Sequence, residues 1–170
     1  MKRGEVVAGS KTALVTGASK GIGRCYALQL AELGYNIVMV SLAEASLEKT
    51  AQEVAEVNSK VWVRHYAKDL ATITAAEELF AWTEQEGIKV DVLINNAGMF
   101  SFCDILNTPT ERIERTILLH DMTTTKMCRI YADDMAKRGG GYILNMSSYS
   151  IWMPYPGLSL YSASKAYLKS

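Results

Sequence analysis

The sequence carries no surplus of charge of either sign: its 170 residues hold 18 Lys and Arg against 18 Asp and Glu. A protein that grips nucleic acid or an acidic bilayer through its field needs a basic excess, so neither partner is expected. Cysteine is scarce too. Cys25, Cys103 and Cys128 are odd in number and form no C-x-x-C pair, which points to reduced thiols in a cytoplasmic protein rather than a disulfide scaffold. The two histidines, His65 and His120, lack the spacing of a zinc site, and no metal is expected. Met1-Lys2-Arg3-Gly4-Glu5 has no apolar stretch of the secretory kind, and no run is long enough for a membrane span. Repeats, low-complexity tracts and proline-rich linkers are missing as well. What remains is an ordinary composition, 49% hydrophobic and 21% charged, suited to one domain with a real core.

What the sequence does have is alternation. Short apolar runs recur at residues 13–15, 36–41, 61–66, 90–94 and 142–146. Val, Leu and Ile in unbroken succession suit strands covered on both faces. Between them lie stretches with helical spacing: 43–57, with Leu47, Ala51, Val54 and Ala55 inward, then 72–86, then a long helix at 110–138. Thr108-Pro109-Thr110-Glu111 reads as a capping box opening the long helix, and Gly139-Gly140-Gly141 closes it. A last helix starts near Leu158. This order implies an α/β fold, a doubly wound parallel sheet with helices on both faces. Ligands of such sheets bind outside the carboxyl ends of the strands.

Those ends are where the chemistry-bearing residues collect. Ala13-Leu14-Val15 runs into Thr16-Gly17-Ala18-Ser19-Lys20-Gly21-Ile22-Gly23. Beyond it Ile22, Ala27, Leu30 and Leu33 share a helical face, and Gly34 takes the place of a left-handed C-cap. Strand, glycine turn and helix aim free backbone N–H groups and a positive helix end at a phosphate. A Cβ in the turn would hold the backbone off a pyrophosphate. The spacing is T-G-x-x-x-G-x-G; the G-x-G-x-x-G pattern fails because Tyr26 stands at its third glycine. Asp69-Leu70 follows the third strand, Asn95-Asn96-Ala97-Gly98 the fourth and Asn145-Met146-Ser147-Ser148 the fifth. The last helix carries Tyr161-Ser162-Ala163-Ser164-Lys165. A Y-x-x-x-K arises by chance about 0.6 times at these tyrosine and lysine counts, so it gains weight only from its order with the others.

Together these motifs resemble the N-terminal two-thirds of the short-chain dehydrogenase/reductase family, over essentially the whole chain. The runs Asn95-Asn96-Ala97-Gly98-Met99 and Ile143-Leu144-Asn145-Met146-Ser147-Ser148 are most similar to its hydroxysteroid dehydrogenase and ketoacyl-thioester reductase branch. The resemblance implies one NAD(P)-binding Rossmann domain over residues 1–170, and an enzyme interconverting a ketone and a secondary alcohol by hydride transfer. It assigns Gly17, Gly21 and Gly23 to the pyrophosphate loop, with Ser19, Lys20 and Ile22 beside them. Asp69 and Leu70 receive the adenine, and Asn95, Ala97 and Gly98 border the cofactor's ribose. Tyr161 becomes the acid/base, and Lys165 its partner and the holder of the nicotinamide ribose. Ser148 is chosen over Ser147 to orient the substrate oxygen, because it stands thirteen positions before Tyr161. Those residue types suit the reaction. A phenol's ordinary pKa of about 10 fits neither direction at neutral pH, and an ammonium four residues later lies on the same helical face and favours the phenolate.

The sequence departs from that family in three places. Where members carry an asparagine that relays protons, chiefly through its main-chain carbonyl in a local helix distortion, this chain has His120. It either continues the relay or simply packs against the cofactor layer. At the end of the second strand Ser41 replaces the acidic residue of NAD-selective sites, so NADP is expected rather than NAD, with Lys20 able to pair a 2′-phosphate. The chain also ends at Ser170, before the further strands and substrate lid of relatives, so it is expected to be C-terminally incomplete. Phe100, Phe102, Trp152, Met153 and Tyr155 either line a pocket for a bulky apolar carbonyl or alcohol or pack against other segments or another subunit. A homo-oligomer, dimer or tetramer, is expected through the long helix and the one bearing Tyr161. The alternatives are a dinucleotide-binding protein without chemistry and an inactive fragment of a reductase.

Overall fold

The computed structural model describes residues 10–100, 102–153 and 155–169; the leading Met1-to-Glu5 stretch and Ser170 lie outside the described residues. Strands β1 (Thr12–Thr16), β2 (Asn36–Ser41), β3 (Val63–Ala67), β4 (Val92–Asn95) and β5 (Tyr142–Asn145) form one sheet in the order β3-β2-β1-β4-β5. Every pairing is parallel, for instance Leu14 beside Val38 on one side and Leu93 on the other. The chain therefore winds outward from β1 to β3, then returns to lay β4 against the opposite flank of β1. That reversal splays the segments leaving β1 and β4 apart and opens a crevice above their carboxyl ends.

Helices α1 (Gly21–Glu32), α2 (Glu44–Val57), α3 (Ala75–Gln85), α4 (Thr110–Ile117), α5 (Thr124–Lys137) and α6 (Ser159–Tyr167) follow in turn. Because strand side chains alternate, β1, β2 and β4 each feed two cores. Ala13, Val15, Ile37, Met39 and Ile94 meet Ala27 and Ala31 of α1 and Leu47 and Val54 of α2. Leu14, Val38, Val40 and Leu93 meet Leu79 of α3 and Met127, Tyr131 and Met135 of α5. Full burial of each Val, Leu, Ile or Met side chain among these contributes roughly 1.5–3 kcal/mol. Among the described residues no helix is long and apolar enough to cross a membrane.

Several local expectations shift. The buried face of α1 is Gly23, Ala27 and Ala31, whereas Ile22 and Leu33 stand 59% and 58% exposed. Close approach to the sheet selects small residues there, so size rather than hydrophobicity marks the inner face. On α2, Thr50 takes the inward place and Ala55 is exposed. The capping box does not form. Thr108 Oγ1 turns back to donate to the carbonyl of Asp104, and the helix starts behind Pro109. The long helix is not continuous: a π-helical turn, Leu118–Thr123, separates α4 from α5. Gly34 does close α1 with a φ of 92°. Strand β5 lies at the sheet edge, with Tyr142 and Leu144 exposed.

Candidate active site

The floor of the crevice is made by Thr16, the last residue of β1. Its Oγ1 accepts from the backbone N–H groups of Asn96 and Ala97 at 3.0 and 2.9 Å while donating to the carbonyl of Ile94. Asn96 answers across the gap, its Nδ2 donating to the carbonyl of Thr16 at 2.9 Å and, more weakly, to that of Gly17. Two side chains thus lock the turn after β1 to the turn after β4, and satisfy buried amides that would otherwise be costly.

The three glycines beside this lock have different reasons. A Cβ on Gly17 would lie 2.8 Å from Asn96 Nδ2 and 2.9 Å from the Cα of Ala97, and one on Gly23 would meet the carbonyl of Gly17. Protein crowds both, and Gly17 also has φ at +67°. Gly21, with φ at +56°, faces nothing within 4 Å. Its missing Cβ leaves backbone open at the amino end of α1, next to Lys20, which lines a cavity there, although Gly21 itself is not part of that lining. This is the place for an anionic group.

A cavity of about 490 Å³ lies there, lined by Gly17, Ser19, Lys20, Ser41, Asp69 and Leu70, and by Ala97 and Gly98 on its far wall. Ser19 and Ser41 face each other, Oγ to Oγ at 2.8 Å. Ser46, Lys68 and Arg115 share the lining. Burial works against the charge of Asp69, but the Ala71 N–H at 2.9 Å and the Arg115 guanidinium at 2.9 Å outweigh it and hold the carboxyl below its usual range. Arg115 had no signal in the sequence, since 46 residues separate it from its partner. Ile22 sits exposed beside the loop, and Asn95 lies beneath the crevice with its Nδ2 donating to Asn145 Oδ1 at 2.8 Å.

A second group of residues converges from β5, α6 and the π-helical turn. Lys165 is 4% exposed, its Nζ donating to the carbonyl of Met146 at 2.8 Å and lying 6.0 Å from the centre of the Tyr161 ring. Burial pushes its ammonium below the usual lysine range, with Asp121 opposing that shift. Ser147 Oγ donates to the backbone carbonyl of Lys165 at 2.7 Å, which commits it to holding α6. The neighbouring Ser148 Oγ accepts from Ser150 N–H at 3.2 Å. The Tyr161 ring meets Phe100 edge-on at 5.2 Å and His120 at 5.9 Å. Phe102, Tyr149, Met153, Tyr155 and Leu158 surround a second cavity of about 220 Å³. Outside the lining of both cavities, His65 Nε2 lies 2.9 Å from Glu44 Oε1, with Glu48 alongside.

The comparisons with known proteins agree with this geometry. The family model described as short chain dehydrogenase matches residues 11–170. Very-long-chain 3-oxoacyl-CoA reductases from Pyricularia oryzae and Bos taurus are 36% and 34% identical over 92% of this chain, and the match covers 48% and 50% of their lengths. The chain therefore spans about half the length of these curated relatives. Among solved structures, a bulky-bulky ketone specific alcohol dehydrogenase from Comamonas testosteroni superposes with a TM-score of 0.85 at 31% identity, over 93% of this chain and 63% of the other. A short-chain dehydrogenase from Sphingobium yanoikuyae in complex with NADPH also gives 0.85, at 30% identity over 93% and 61%. A parallel sheet wound from a glycine turn, a locked crevice at its switch point and a match along nearly every residue lead to one statement: this chain belongs to the short chain dehydrogenase family of oxidoreductases.

Proposed function

We propose that the protein is an NADP-preferring oxidoreductase that interconverts a bulky apolar ketone and its secondary alcohol, with Tyr161 as the acid/base. The observation that carries this reading is the buried Lys165, held against the carbonyl of Met146 beside Gly98 and one helical turn from Tyr161. The residues present fit a nicotinamide dinucleotide. Gly17, Ser19 and Lys20 line the cavity beside the open backbone of Gly21 at the start of α1 for the pyrophosphate, Asp69 and Leu70 wall it for the adenine, and Lys165 stands behind Gly98 for a ribose. When bound, that cofactor supplies or accepts the hydride.

The chain's own part is the proton and the orientation of the carbonyl. Tyr161 gives a proton to the substrate oxygen during reduction and takes it back during oxidation. Lys165 favours the phenolate by its charge, and Ser148 holds the oxygen within reach. Ser41 supports NADP because no carboxylate there repels a 2′-phosphate, and Lys20 lines the same cavity. The bulky apolar substrate is supported by the aromatic cavity beside α6 and by the chain's similarity to a very-long-chain 3-oxoacyl-CoA reductase and a bulky-bulky ketone specific alcohol dehydrogenase. We place the enzyme in the cytoplasm as a homo-oligomer, with the exposed Ile117 and Met122 on the contact face. Tyr161→Phe, made in a chain as long as the relatives and assayed with NADPH and a bulky aryl ketone, tests the mechanism. Turnover should fall at least about 100-fold with NADPH affinity nearly unchanged, and retention of most activity would defeat the reading.

A further inference from the structure

The π-helical turn brings a histidine, with no exposed surface at all, to the junction of the crevice and α6. His120 Nε2 lies 2.9 Å from the backbone nitrogen of Met99, and its Nδ1 lies 2.8 Å from Ser164 Oγ. A backbone N–H can only donate, so Nε2 must present its lone pair to Met99. The single ring proton therefore sits on Nδ1 and is donated to Ser164. That hydroxyl in turn donates to the carbonyl of Tyr161 at 2.9 Å. The one irreversible donor, the Met99 amide, thus sets the direction of every bond in the chain.

We infer that His120 is a positioning residue, held as the neutral Nδ1–H tautomer, that fastens the Gly98-Met99 turn to α6 and carries no proton during turnover. A relay through the ring must load a proton on one nitrogen and release it from the other. A proton on Nε2 would aim two N–H groups at each other, across a contact with no exposed surface to relax into. Among the described residues the titratable groups acting at the ring are Tyr161 and Lys165 of α6, and Asp121 of its own turn acts on Lys165. Burial and the Lys165 ammonium both disfavour a charged imidazole, and push its pKa down to about 4. Gly98 makes the approach possible, since a Cβ there would stand 3.1 Å from Nε2 and 3.5 Å from Lys165 Nζ. The clamp therefore joins the far wall of the larger cavity to the helix that carries Tyr161 and Lys165. This inference rests on the proposed roles of those two residues only for its effect on turnover, not for the state of the ring.

The test separates the two. In the full-length chain labelled with 15N-histidine, the His120 ring, identified by its loss in His120→Gln, should show a protonated Nδ1 and a bare Nε2. That pattern should persist between about pH 8 and 5, with and without NADPH. The opposite tautomer, or a titration centred near neutrality, overturns the inference even if Tyr161 proves essential. In turnover, His120→Leu should lower kcat about 100-fold through misplacement of α6, while the pH limbs stay where they are. His120→Gln keeps an acceptor for Met99 and a donor for Ser164, and should recover about tenfold of that loss. A relay predicts the reverse: glutamine as poor as leucine, and a limb that moves or vanishes. Should the leucine variant not fold, the ring spectrum and the pH profile of His120→Gln decide alone.

Discussion

The two ends of the crevice are built differently. Around the glycine turn, order comes from burial and backbone: β1 is wholly buried, Gly17 and Gly23 are pressed against neighbouring main chain, and Thr16 and Asn96 tie two turns together. Around Tyr161 the sheet is at its edge, Tyr142 is 72% exposed, and Tyr149, Trp152, Met153 and Tyr155 are exposed too. Order there comes from individual polar links: Lys165 to Met146, Ser147 to the Lys165 carbonyl, and His120 to Ser164. The glycine-turn end is thus stiff because protein fills it, whereas the Tyr161 end is set by a few replaceable hydrogen bonds. Substitutions should divide accordingly, with steric failures at the first and graded losses at the second.

The sharpest break is Gly23→Ala. Its methyl would run into the carbonyl of Gly17 and the amide of Asn96, and neither backbone nor locked side chain can yield cheaply. We expect a loss of about 3 kcal/mol or more in a urea melt, together with loss of NADPH binding. A variant of wild-type stability that binds normally would show that the turn is not crowded.

Next comes acid. His120 is held near a pKa of about 4 in the folded chain against 6.5 when unfolded. A depressed folded value contributes stability that is present above pH 6.5 and is lost as pH falls toward 4, because only the unfolded chain binds the proton. The window corresponds to on the order of 3 kcal/mol. Urea midpoints at pH 7 and pH 4.5 should differ by more in the native chain than in His120→Gln, and equal differences would refute it. Asp69 acts in the same direction at lower pH, by less, since water screens its pair with Arg115.

A smaller effect tests specificity at the stiff end. Ser41→Asp puts a carboxylate beside Ser19 and Lys20 and should move the ratio of NADPH to NADH affinity by about tenfold toward NADH; an unchanged ratio would remove Ser41 from the cofactor reading. Smallest of all, Tyr142→Thr on the exposed edge strand should stay within about 0.5 kcal/mol of the native chain. A larger loss would mean the edge is not as loosely held as its exposure indicates.

Much of this was legible beforehand for one reason. Periodicity and glycine spacing are local, so the alternation of elements, the crevice end of the strands, Gly34 and the placing of Tyr161 and Lys165 on one helix could be read off directly. Errors arose where a residue's partner is distant or its size matters more than its polarity. Ile22 and Leu33 looked like the inner face of α1, but the sheet admits only Gly23, Ala27 and Ala31. Thr108 looked like a cap until Asp104 captured its hydroxyl.

The sequence alone therefore determined the fold class and the kinds of groups available at each strand end, since both depend on neighbours along the chain. Tertiary structure alone decided which of those groups face one another. It chose Ser147 to hold Lys165 and left Ser148 free of that task, brought Arg115 to Asp69, and placed Asn96 between two glycines. It also settled what His120 touches on both nitrogens, because a hydrogen bond's direction follows from the partner that cannot reverse, and that partner lies 21 residues away.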